Sequence, residues 1–277
     1  MTSINCKGKL IDFEIPKVMG ILNVTPDSFY DGGSYKNEKD ILAQAEKMLN
    51  DGATFIDVGA YSSRPGAQDI SVDEECARLI PVVNLLLKNF PDVLLSIDTF
   101  RSKVAQEAVN SGAALINDIS AGFLDEAMLT TIAKLQVPYI MMHMRGTPQT
   151  MKNLTEYEDV VHEVIFYLSE RVAAARALGI NDLIVDPGLG FAKTIAQNFE
   201  LLNATEKLQV LELPILIGLS RKSMITKALG VDSNSALNGT TALNMIALQK
   251  GASILRVHDV KEAVQTVRLH QALKGSN

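Results

Sequence analysis

The sequence predicts a (β/α)8 TIM barrel of the α/β class, preceded by a short N-terminal β-hairpin. Three observations carry that expectation. Short apolar runs alternate with longer amphipathic stretches eight times along the chain. The runs are apolar on both faces and rich in Ile, Val and Leu, as strands must be when both sides of a parallel sheet are covered. An open, doubly wound sheet is the competing arrangement, but its Gly-X-Gly-X-X-Gly fingerprint is missing after the first strand. The 277 residues are 47% hydrophobic, enough for a large core. No Ser/Pro-rich linker divides them, so residues 1–277 are expected to form one domain.

Taken in order, residues 3–15 read as a hairpin turning at Lys7-Gly8-Lys9. Val18–Val24 is the first barrel strand, and Lys39–Asp51 a helix stopped by Gly52. Thr54–Val58 is the second strand, with a helix from about Val72 to Asn89. Val93–Ile97 and the helix Arg101–Ser111 follow, then Ala114–Ile119 and the helix Glu126–Gln136. Pro138–His143 leads to a long helix over Glu156–Leu178, and Asp182–Val185 to a helix over Ile195–Leu211. Pro214–Leu219 is the seventh strand, with helical segments after it to Lys250. Ser253–Val257 and the helix Val260–Leu273 complete the cycle.

Composition removes several classes of function. A net charge of −6 and a pI near 5.3 argue against nucleic-acid binding. No apolar run reaches the roughly 18 residues of a membrane helix, so no membrane partner is expected. The first residues carry no apolar leader segment. Cys6 and Cys76 stand far apart with no metal-ligand spacing, which fits packing roles in a reducing, cytoplasmic setting.

A TIM barrel works at the carboxyl ends of its strands. Here every strand ends on a polar or charged group: Asn23, Asp57, Asp98, Asn117-Asp118, His143, Asp186, the stretch Ser220-Arg221-Lys222-Ser223, and Arg256-Val-His258-Asp259. Each has a plainer explanation. Asp57, Asp98, Asp118 and Asp259 suit helix N-caps, Asp186-Pro-Gly suits a turn, His143 a structural role, and Arg256 and His258 an interface. Their coincidence on one rim favours a site. Asp98, Asn117 and Asp186 offer acceptors and an amide to a small planar heterocycle with several N–H donors. Asn23, Arg64, Arg256 and His258 come from adjacent strands one, two and eight, and suit a phosphate or diphosphate, with Mg2+ held between an amide oxygen and phosphate oxygens.

At these residues the chain resembles the dihydropteroate synthases, the folate-pathway transferases targeted by sulfonamides. The resemblance rests on Met19-Gly-Ile-Leu-Asn-Val-Thr-Pro-Asp-Ser-Phe-Tyr-Asp-Gly-Gly33, Ser62-Ser-Arg-Pro-Gly66, Ser96-Ile-Asp-Thr99, Ile116-Asn-Asp118, Met142-His-Met-Arg-Gly-Thr-Pro148, Asp186-Pro-Gly-Leu-Gly-Phe191, Gly218-Leu-Ser-Arg-Lys-Ser223 and Arg256-Val-His258. It implies condensation of 6-hydroxymethyl-7,8-dihydropterin diphosphate with p-aminobenzoate, by loss of diphosphate before attack of the amine. It also implies that Asp98, Asn117, Asp186, Lys222 and Gly218 hold the pterin, with Met142 against its ring. Asn23, Ser63, Arg64, Arg256 and His258 would hold the diphosphate, and Asn23 its Mg2+. Phe29, Ser63, Pro65, Phe191, Lys222 and Ser223 would shape the p-aminobenzoate pocket. Arg64, Lys222 and Asp98 are the expected catalytic residues, and a homodimer is the expected assembly. Ser223, at a helix start, is the candidate for the p-aminobenzoate carboxylate, whereas Arg221 receives no role. The loops at 24–37 and 60–70 are expected to close over the substrates.

The sequence departs from the family at one place. The usual Gly-Gly-Glu-Ser-Thr-Arg-Pro-Gly is Gly59-Ala60-Tyr61-Ser62-Ser63-Arg64-Pro65-Gly66 here, with Tyr61 in place of a carboxylate. Corrinoid-linked methyltetrahydrofolate methyltransferases share the pterin-holding set, but should not need Ser-Arg-Pro-Gly or Ser-Arg-Lys-Ser. A catalytically silent homologue should not need the cationic set.

Overall fold

A computed structural model describes residues 3–24, 35–62 and 69–275. The expected barrel forms. After the hairpin strands β1 (Ser3–Cys6) and β2 (Lys9–Asp12), eight parallel strands follow: β3 (Lys17–Asn23), β4 (Phe55–Gly59), β5 (Leu94–Asp98), β6 (Leu115–Asp118), β7 (Tyr139–Met142), β8 (Leu183–Asp186), β9 (Leu216–Ile217) and β10 (Ile254–Val257). Their order is β8-β7-β6-β5-β4-β3-β10-β9, and a bridge between Val185 and Ile215 joins the two ends. On the outside lie α1 (Tyr35–Asn50), α2 (Val72–Asn89), α3 (Ser102–Asn110), α4 (Met128–Leu135), α5 (Val160–Ala177), α6 (Ile195–Asn203), α7 (Ser223–Leu229), α8 (Leu237–Gln249) and α9 (Val260–Lys274). Among the described residues, no helix is long and apolar enough to cross a membrane.

Side chains alternate along a strand, so residues two apart share a face. The lowest inward ring is Met19, Phe55, Leu94, Leu115, Ile140, Ile184, Leu216 and Ile254, one from each barrel strand. The hairpin closes this end. Its two-residue turn, Lys7 at φ 53° and Gly8 at φ 80°, is the left-handed pair that matches strand twist. That turn sets the register that buries Ile4 and Cys6 on the ring while Ser3 and Asn5 face out. Two residues further along, the same inward face carries Ile21, Asp57, Ser96, Asn117, Met142, Asp186, Gly218 and Arg256. Polar groups enter the barrel only from this second ring upward. The site is therefore placed by strand periodicity.

The first barrel helix begins at Tyr35, earlier than the expected Lys39, and three other boundaries differ from expectation, each for a local reason. The long helix begins at Val160, not Glu156, because Asp159 takes an extended conformation and caps it, accepting from the His162 N–H at 2.9 Å. The helix expected over Ile195–Leu211 ends at Asn203. The Thr205 hydroxyl bonds back to the Leu201 and Leu202 carbonyls, and a 3-10 segment, Thr205–Leu211, continues. The seventh barrel strand shrinks to Leu216–Ile217, since Pro214 has no N–H to give the ladder and the chain turns at Ser220. Two further helices have side-chain caps, with Ser71 accepting from the Glu74 N–H and a reciprocal Thr194–Gln197 box.

Candidate active site

The mouth of the barrel holds a connected charge cluster. Arg256, on β10, donates from Nε to Asp57 at 2.6 Å and from Nη2 to Asp98 at 2.7 Å. Asn117 donates to the same Asp57 oxygen at 3.0 Å. Asp57 is fully buried, and its other oxygen has no hydrogen-bond partner among the described residues. Burial pushes the Asp98 carboxyl up to about 7, against the pull of Arg256 and with the help of Asp57 and Glu75. Burial also disfavours the Arg256 charge, but Asp57 and Asp98 outweigh it and keep the guanidinium firmly protonated. The structure thus brings Arg256 to the floor with the heterocycle-binding candidates, its Nε and Nη2 already engaged there.

Asp186 stands at the end of β8. One of its oxygens accepts from the Gly188 N–H at 2.7 Å, while the other lies beside Gly218. Burial raises its pKa, opposed by Lys222, the Gly188 N–H and Arg256. A Cβ at Gly218 would stand 3.9 Å from Arg256 and 4.0 Å from the Asp186 oxygen, which places this position in the pocket between them. Met142 is buried in a cluster with Ile119, Met144, Met151 and Ala192, against which Phe191 packs. Lys222 reaches back over this loop. Its ammonium donates to the Leu189 carbonyl and lies 4.8 Å from the centre of the Phe191 ring. Burial pushes Lys222 down to about 8, with Asp186 resisting.

The turn after β9 divides its labour residue by residue. Ser220, buried, lies 3.0 Å from His258 Nδ1 and accepts the His258 N–H at 3.2 Å, so it orients that ring. Arg221 sits at φ 57° and forms a two-pronged pair with Asp259, tying the turn to the end of β10. Its role, unassigned from sequence, is structural. Asp259 accordingly makes no side-chain cap for the helix it precedes. Ser223 opens α7 and is exposed, and Asn23 ends β3 half-buried, in register with Gly59.

Other plainer explanations are decided too. Asp118 is not an N-cap. It is consumed by four donors, the Ser120 N–H and hydroxyl, the Gly122 N–H and the Tyr139 hydroxyl, and fixes the loop after β6. His143 is a buried structural histidine bonded to Lys193. Tyr61 packs edge-on to Phe100 at 5.1 Å, under the Arg101 guanidinium, and accepts from Gln149 at 2.9 Å. Phe29, Ser63, Arg64 and Pro65 lie outside the described residues. Two residues were missed as site components. Asp57 was visible only as a rim carboxylate, although its place two residues after inward-facing Phe55 marks it as inward. Lys193 gave only its closeness to the Asp186 motif.

The family model of pterin-binding enzymes matches residues 19–258. The dihydropteroate synthase of Escherichia coli (strain K12) is 43% identical over 268 residues, covering 96% of this chain and 94% of the relative. The chain belongs to the dihydropteroate synthase family. Among solved structures, the Yersinia pestis dihydropteroate synthase in a sulfonamide drug complex superposes with a TM-score of 0.92 at 41% identity, covering 99% of this chain and all of that one. The Xanthomonas albilineans dihydropteroate synthase with 4-aminobenzoic acid superposes at 0.91 with 39% identity, covering 98% of each chain. These family members share the whole barrel with this chain, not an isolated motif.

Proposed function

We propose that this chain is a dihydropteroate synthase, joining 6-hydroxymethyl-7,8-dihydropterin diphosphate to p-aminobenzoate to give 7,8-dihydropteroate and diphosphate. The observation that carries this is the Asp57–Arg256–Asp98–Asn117 cluster, facing Asp186 and Lys222 in the mouth of a barrel of this family. Asp98 and Asp186 accept from the pterin's ring and amino N–H groups, and Asn117 reads one edge. Met142 lies against the ring face. The Lys222 ammonium and the Phe191 ring form the boundary between the pterin and p-aminobenzoate, with Phe29, Ser63, Pro65 and Ser223 completing the second pocket. Asn23, Ser63, Arg64, Arg256 and His258 hold the diphosphate.

In the reaction the bond from the pterin methylene carbon to oxygen breaks, and diphosphate leaves with the electron pair. The resulting cation is stabilised by the pterin ring. The amine nitrogen of p-aminobenzoate then bonds to the methylene carbon and gives up its extra proton to solvent. Cationic and amide groups around the leaving anion provide most of the assistance, and no strong base is required. Mg2+ fits this site as a cation carried in by the substrate. The described residues contain no cluster of three or more His, Cys, Asp or Glu side chains that would cage a metal, and Asn23 offers a hard carboxamide oxygen beside the diphosphate. When bound, the ion neutralises charge on the leaving group.

The same reading covers residues 1–277 as one cytoplasmic domain that pairs as a homodimer. The exposed Ile246, Leu269 and Leu273 on α8 and α9 support the pairing, which sedimentation would test. Purified protein with both substrates and Mg2+ should release diphosphate and form dihydropteroate in equal amounts. Absence of dihydropteroate would overturn the assignment.

A further inference from the structure

Behind the pocket wall lies a buried lysine that the chemistry above does not use; burial pushes its ammonium down to about 7, with Asp186 resisting. Lys193 is only 9% exposed. Its ammonium donates to the Gly188 carbonyl at 2.9 Å and the Phe191 carbonyl at 3.0 Å, and lies 3.0 Å from His143 Nδ1. In its protonated form this head group has three protons and no acceptor, so His143 then accepts and all three donors are used. The His143 ring is suited to accept, because burial, with Lys193 and Arg145 nearby, holds its pKa down at about 2 and keeps it neutral.

What Lys193 gathers is the back of the substrate pocket. The Gly188 N–H donates to Asp186, and Gly188, at φ +70°, packs so closely that a Cβ would fall 2.0 Å from the His143 carbonyl oxygen. The Leu189 carbonyl, between the two that Lys193 holds, accepts instead from Lys222, which stands over the Phe191 ring. One short loop thus divides its carbonyls between a lysine behind it and a lysine in front. Three acceptors converging on one buried point need a three-proton donor, and each one left unpaired would be penalised.

We propose that Lys193 is a positioning residue, holding the 186–193 loop in the shape that presents the Asp186 carboxylate, the Leu189 carbonyl and the Phe191 ring to the substrates. This rests on the reading of the pocket as the pterin and p-aminobenzoate site. Lys193→Met keeps the apolar stem and removes the donors. It should raise the Kd for the pterin diphosphate and the KM for p-aminobenzoate by about tenfold or more, with a smaller change in kcat. Amide exchange across 186–193 should accelerate while the rest of the barrel is unchanged. Lys193→Gln, which keeps one donor group, should fall between wild type and the Met variant, and stands in if the latter does not fold. A lowered Tm with both binding constants unchanged, or unchanged loop exchange, would overturn the proposal. If wild type binds the pterin diphosphate but forms no dihydropteroate, the functional reading fails, and the Kd and exchange comparisons still judge Lys193.

Discussion

The two ends of this barrel are built from the same eight strands and carry opposite chemistry. At the amino end, Phe55, Leu94, Leu115, Ile184 and Ile254 form a dry ring sealed by Ile4 and Cys6. One inward step along those strands, about 7 Å away, the side chains are Asp57, Ser96, Asn117, Asp186 and Arg256. The difference teaches that stability and binding are separated by a single period of the strand. Burying the first ring stabilises the fold directly. The second ring places partly desolvated charges where a ligand must satisfy them, and the raised Asp98 and lowered Lys222 pKa values record that strain.

Neighbours on one strand give the sharpest way to break this comparison. Phe55→Ala should lower stability by about 3–5 kcal/mol by opening a cavity in the plug. The protein that remains folded should bind pterin as wild type does. Asp57→Ala should lower stability by a similar 3–5 kcal/mol, because Arg256 loses one of its two carboxylates and Asn117 its acceptor. Unlike Phe55→Ala, it should also weaken pterin binding. Denaturant unfolding paired with ligand titration separates the two, and equal effects on binding would dissolve the distinction.

The pH dependence sharpens the same contrast. Asp98 is ionised above about 7 and Lys222 is protonated below about 8. A pterin that donates to Asp98 and neighbours a cationic Lys222 should therefore give kcat/KM a maximum between those values, falling on either side. Asp98→Asn should remove the acid limb. The stability effects run the other way. The Asp98 contribution, with its pKa raised from 3.8, is fully present below that value and lost as pH rises through about 7. The Lys222 contribution, with its pKa lowered from 10.5, is present above that value and lost as pH falls through about 8. The working window is thus the one in which these two groups stabilise the fold least. A flat kcat/KM profile across that window would sink this account.

The smallest effect is expected at the second loop. Tyr61→Phe removes the hydroxyl that accepts from Gln149 and interacts with Asp69, and leaves the packing on Phe100 and Arg101. It should lower stability by about 0.5–1.5 kcal/mol, read as a small shift in a denaturant midpoint.

Much of this was legible in the sequence because the barrel repeats a simple pattern. Short apolar runs found the strands, and their ends pointed to Asp98, Asn117 and Asp186, with Lys222 in a turn beyond, as candidates that the structure gathers at the barrel mouth. What the sequence hid was partnership. Strand order places Arg256 beside Asn23 and the other anion-binding candidates, but gives no sign that the same side chain also bonds Asp57 and Asp98. Asp118 and Asp186 look alike as strand-end carboxylates, yet Asp118 is consumed by four local donors. Asp186 takes one N–H from Gly188 and faces the pocket with its other oxygen. Loop conformation decides between them, and no spacing rule encodes it. Lys193 was invisible for the same reason, since its three acceptors assemble only once the loop has folded.

The central claim is that the second ring, not the first, forms the pterin site. Titration calorimetry of the pterin diphosphate into wild type, Ile4→Ala and Asp186→Ala tests it most directly. Ile4→Ala, in the plug, should bind with wild-type affinity despite lower stability. Asp186→Ala should lose about 1–3 kcal/mol of binding for each pterin donor left unpaired, taking affinity below detection if two are lost. Wild-type affinity in folded Asp186→Ala would contradict the claim.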